Sequence, residues 1–107
     1  MKIKVTDTVK SYDGKEVIEN GQPLLLRTVF DTSLNNTIPG EDAMTSEQKA
    51  KAYQLTLKIY ANNEVDLTLD DRTLLKVRVG KVYNPLVFGR VSDLLEGSDK
   101  TTDSKKG

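Results

Sequence analysis

TLDDRTLLKVRVGKVYNPLVFGRVSDLLEG, residues 68–97, decides the fold, because it carries a start signal and a stop signal for each of two helices. Thr68 is a natural N-cap. Asp70 and Asp71 follow in the first turn, where the helix dipole favours negative charge. Leu75, Val79 and Val82 then repeat on one helical face, while Thr73, Val77 and Gly80 form a stripe of smaller residues on another. A glycine inside a helix costs about 1 kcal/mol relative to alanine, so Gly80 predicts a close helix approach. Asn84-Pro85 hinges the stretch: asparagine caps the next helix, and proline suits its first position because it lacks an N–H that the first turn cannot use. Val87, Phe88, Val91, Leu94 and Leu95 supply the apolar face, with Gly97 the expected stop.

Two more helices are predicted upstream. Leu26, Val29, Phe30 and Leu34 share one helical face in a short segment, residues 25–34, with Arg27 and Asp31 off that face. Thr45 and Gln48 match a capping box, with the hydroxyl and the amide side chain each meeting an orphan backbone N–H. Behind that cap, Glu47, Lys51, Gln54 and Lys58 make a polar stripe, and Ala52, Leu55 and Ile59, with Tyr53 and Tyr60, cover the other side. Asn62-Asn63 ends the helix, and residues 65–67 read as an extended link. Between these helices, residues 35–44 are polar and include Pro39-Gly40, a pattern that predicts a mobile loop.

The N-terminal residues 1–18 read as a β-hairpin. Ile3 and Val5 alternate with Lys2, Lys4 and Thr6, the period of a half-buried strand. Asp13-Gly14 suits a type I′ turn, and Asn20-Gly21 is the next turn signal. At the other end, residues 98–107 hold no apolar side chain, which predicts a disordered tail. The expected fold is therefore α+β: one domain over residues 1–97, with an N-terminal β-hairpin packed on about four short helices.

Composition limits the chemistry. The 107 residues carry 16 basic and 16 acidic side chains. That balance argues against a general nucleic-acid binder, which usually shows a basic excess. The chain contains no cysteine and no histidine. Thiolate zinc sites, disulfides and the commonest general base are excluded with them. Nothing at the N-terminus resembles a signal peptide, and no stretch approaches the ~20 apolar residues that span a bilayer. The expectation is a soluble cytoplasmic protein with no catalytic, cofactor-binding or metal-binding residues.

The candidate sites are few. Glu41-Asp42 shows no liganding pattern, and Asp70-Asp71 is accounted for as helix N-terminal charge. Arg78, Lys81 and Arg90 are the candidate partner-binding residues, since Arg78 and Lys81 flank an apolar stripe and could grip an acidic partner. The plainer account has their aliphatic stems covering the core edge. A helix-turn-helix reading of residues 69–95 lacks a recognition helix rich in Arg, Asn or Gln. Tyr12, Tyr53, Tyr60 and Tyr83 could stack on a ligand; on amphipathic helices such rings more often line the core edge with the hydroxyl in water.

Several stretches taken together resemble small proteins of tailed bacteriophages and prophages: MKIKVTDTVKSYDGKEV (1–17), PLLLRTVF (23–30), TSEQKAKAYQLTLKIY (45–60) and the run from residue 65 to 97. The opening strand, the DGK turn and the segment from Leu24 to Arg27 are similar to phage tail assembly chaperones. The helical second half departs from that pattern, so no functional residue is carried over. The resemblance implies a non-enzymatic accessory protein in the bacterial host cell that binds a phage structural protein, during tail assembly for example. A phage inhibitor of a host enzyme or defence protein is the alternative, and a nucleic-acid-binding module ranks behind both. A self-complementary face of exposed Val or Leu would add a homo-oligomer.

Overall fold

Four helices form where the capping signals place them. The computed structural model describes residues 2–36 and 44–103, the last seven of these as helix backbone only. Helix α1 spans Leu26–Asn35, α2 Ser46–Ala61, α3 Leu69–Val82 and α4 Pro85–Asp103. Both halves of the capping box are present at Thr45 and Gln48. Thr68 caps α3 and closes a second box with Asp71. The Asn84 side chain accepts the Val87 N–H at 3.0 Å and starts α4. Such caps satisfy donors that a helix leaves without intrahelical partners. The α4 backbone runs past Gly97 rather than ending there. Of the loop expected at 35–44, residues 37–43 with Glu41-Asp42 lie outside the described residues, as do residues 104–107 of the tail expected at 98–107.

Helix α3 is the centre of the packing, with α1 and α4 against it and α2 on α1. The apolar face predicted for α1 is the observed one: Leu26, Val29, Phe30 and Leu34 are all buried. Leu75 and Val79 of α3 meet Val87, Val91 and Leu95 of α4 in the same cluster, to which Ala52, Leu55 and Ile59 of α2 belong. Gly80 does mark a close approach, since the Phe88 ring lies against it.

The β part is more divided than one hairpin. Strand β1 (Lys2–Lys4) pairs antiparallel with β4 (Glu64–Asp66), setting Ile3 opposite Val65. Lys10 bridges to Glu16 around the Asp13-Gly14 turn. There only Gly14 takes a positive φ, so the turn is not type I′. Both residues of Asn20-Gly21 have positive φ, 54° and 77°, and this turn joins β2 (Ile18–Glu19) to β3 (Gln22–Pro23). Asparagine tolerates that conformation better than most side chains.

Three backbone hydrogen bonds close a ring in this region. Val17 N–H donates to Val9 O, Leu24 N–H to Val17 O and Val9 N–H to Leu24 O, at 2.9, 2.8 and 2.9 Å. Each segment thus uses a donor and an acceptor on its neighbours, which lets such short strands stay paired. The preceding turn then caps α1, whose N-cap Leu25 offers no side-chain acceptor. Asp7 O accepts the Leu26 N–H at 2.9 Å and Val5 O accepts the Arg27 N–H at 2.8 Å. The N-terminal segment is therefore a structural part of the helix start.

Candidate functional site

All four arginines of the chain donate to main-chain carbonyls on other elements. Arg78, on α3, is buried; its Nε donates to Ser33 O at 2.9 Å and its Nη2 to Asn36 O at 2.7 Å. Those carbonyls end α1, where the dipole is negative and acceptors lack intrahelical partners. Arg27 does the same for α2, reaching Ile59 O and Asn62 O at 3.0 Å each. Arg90 holds Lys10 O at 2.9 Å and Ser11 O at 2.6 Å, fixing the first turn to α4. Arg72 reaches Leu95 O at 3.3 Å.

The partner-binding set predicted from sequence is not one surface. Arg78 is 6% exposed and its guanidinium is occupied by α1, so it is not presented to a partner. Arg90 is on the surface but is spent on the turn, and Lys81 is exposed on α3. A guanidinium forks two donors in one plane, which suits paired carbonyls at a helix end. Sequence spacing cannot show that use.

The tyrosines differ as well. Tyr83 is half-buried; burial raises its hydroxyl pKa, against which a hydrogen bond with Thr32 acts. Tyr53 and Tyr60 are 60% and 53% exposed, so their rings stand out from the core edge. The Tyr60 hydroxyl donates to Asp31 Oδ2 at 2.6 Å, and this bond raises its pKa. The Arg27 guanidinium lies 5.4 Å from the centre of the same ring, within cation–π range.

A concave surface among the described residues that sequence did not show lies between α2 and the start of α3. It is an open groove of about 510 Å³, lined by Ala50, Lys51, Gln54, Leu55, Lys58 and Asp71. Lys51 Nζ stands 3.6 Å from Asp70 Oδ2, and Lys58 Nζ stands 3.6 Å from Asp71 Oδ2. Asp71 is held from a second side, because its Oδ2 accepts the Thr68 N–H at 3.0 Å. One signal for this groove was legible: Lys51, Gln54 and Lys58 form the polar stripe of α2, and Asp70-Asp71 opens α3.

The groove offers apolar contact at Ala50 and Leu55 between rims of both charges. Its lining presents no nucleophile beside a base. Among the described residues no group of three or more acidic side chains is placed to hold a metal ion. Among those residues, too, no helix is long and apolar enough to cross a membrane. No protein-family model matches the chain, no curated protein matches it, and no solved structure matches its fold.

Proposed function

We propose that this chain is a non-enzymatic, phage-encoded accessory protein that works by protein–protein contact in the cytoplasm of the bacterial host. Its partner is a phage structural protein, with tail assembly the step that the sequence resemblance favours. The observation that carries the contact surface is the α2–α3 groove, with exposed Ala50 and the buried Leu55 at its floor between Lys51, Lys58, Asp70 and Asp71. A helix or extended segment fits such a surface by setting one apolar side chain between the rims and pairing its own charges with theirs. The arginines support the same reading against nucleic acid. Arg78 and Arg90, the cations best suited to phosphates, are engaged with carbonyls of the chain itself.

The test is affinity capture from lysates of infected and uninfected cells, with the double variant Lys51→Glu/Lys58→Glu as control. Both lysine side chains are about two-fifths exposed, at 42% and 41%, but the new carboxylates face Asp70 and Asp71, so unchanged helicity and urea midpoint of the variant are established before capture. Capture of a phage structural protein by the wild type alone supports the proposal. Capture of a host protein from uninfected cells replaces it with the inhibitor reading.

A further inference from the structure

Of the eight large hydrophobic side chains exposed among the described residues, three stand in one row on α2: Tyr53, Leu57 and Tyr60. The row extends toward the N-terminus through Ala50 and Ser46, both exposed. Residues 46, 50, 53, 57 and 60 are spaced 4, 3, 4 and 3 apart. That is the spacing of a coiled-coil seam, and no charged side chain interrupts it. We propose that this seam pairs with its own copy, antiparallel about Tyr53, to make a twofold dimer of the protein.

Side-chain size points to a second copy. The seam has small residues at one end, Ser46 and Ala50, and large ones at the other, Leu57 and Tyr60. Antiparallel pairing about Tyr53 sets Tyr60 over Ser46 of the second copy and Leu57 over its Ala50. Parallel pairing would set large on large and small on small, leaving a gap at one end and crowding at the other. A twofold axis also makes the contact self-complementary and closed.

The flanking positions agree. Glu47, Gln54 and Ala61 border one side of the seam, and Lys49 and Thr56 the other. Antiparallel pairing brings Lys49 beside Thr56 of the second copy and Glu47 beside its Ala61, so no like charges meet. Tyr60 enters the contact already fixed by Asp31 and Arg27, so it loses little rotamer freedom. A single helix pair falls short of the roughly 800 Å² per partner of a standard interface, so the dimer dissociates on dilution. The seam is a different face of α2 from the groove, with Ala50 common to both and Gln54 on the border between them, and its test needs no phage partner.

The chain has no cysteine, so one introduced thiol reports on one position. The experiment treats Tyr53→Cys and Ser46→Cys proteins with a short bis-maleimide, and follows sedimentation of the wild type and Leu57→Lys across concentration. The proposal expects Tyr53→Cys to cross-link to a dimer. Ser46→Cys should not, because the two copies of that residue lie ~21 Å apart along the helix axis. Wild type should shift from monomer to dimer with concentration, and Leu57→Lys should stay monomeric with unchanged helicity. A wild type that stays monomeric up to roughly 1 mM overturns the proposal. So does cross-linking of Ser46→Cys as fast as Tyr53→Cys.

Discussion

The Phe88 ring lies against Gly80 so closely that a Cβ on Gly80 would come within 3.2 Å of the ring's Cε1. This contact sets how α4 folds back on α3 after the Asn84-Pro85 hinge. Two effects oppose each other at Gly80→Ala. The alanine gains about 1 kcal/mol of helix propensity. The half-buried Phe88 ring must give by a few tenths of an ångström. We predict a net change within about 1 kcal/mol of zero for Gly80→Ala, and a loss of about 1–3 kcal/mol for Gly80→Leu, read from urea midpoints.

Arg78 is predicted to be the most costly arginine to replace. Arg78→Ala leaves the Ser33 and Asn36 carbonyls without their charged donor and should lose about 3 kcal/mol. Arg78→Lys restores the charge without the fork, so it should recover only part of that loss. Lys81→Ala, at an exposed position, should change stability by less than about 1 kcal/mol. Equal effects at the two positions would contradict the assignment of Arg78 to the end of α1.

Arg90→Ala should loosen the first turn without unfolding the helices. Hydrogen exchange at the Ser11, Gly14 and Val17 amides, all engaged in the turn and its bridge, is expected to speed up. Exchange in α3 should stay as it is. Uniform acceleration across the chain would show that the turn is not an independent unit.

Stability should fall in alkali through Tyr60 and Tyr83. Both hydroxyls have pKa values raised above the ordinary 10.0, Tyr60 first through its bond to Asp31 and Tyr83 first through burial. A raised folded value means that the stabilisation is complete below the unfolded value. It is lost as pH climbs through the folded one. Urea midpoints should therefore hold level up to about pH 9 and then decline. The double variant Tyr60→Phe/Tyr83→Phe should flatten that decline.

What the sequence made legible is what local chemistry controls. Thr45, Gln48, Thr68 and Asn84 act on amides three residues away, so their roles follow from spacing alone. The buried face of α1 and the glycine at the α3–α4 contact were readable for the same reason. The partner of β1 was not, because β4 lies some sixty residues on and three-residue strands carry little pattern. The Asp13-Gly14 and Asn20-Gly21 signals are nearly identical dipeptides, yet only the second takes positive φ at both residues. The strands around it decide that. The arginine clamps and the groove depend on which helix ends meet in space, which no single helix encodes. That is why Arg78 and Arg90 read as surface cations and proved to hold the chain to itself.

The most direct test of the functional account places a photo-cross-linking residue at Gln54, an exposed position lining the groove, and irradiates infected cells. A control carries it at Lys15, on the first turn and away from the groove. The account predicts an adduct with a phage structural protein at Gln54 and none at Lys15. Adducts of equal yield at both positions, or none at Gln54 through the whole infection, would contradict it.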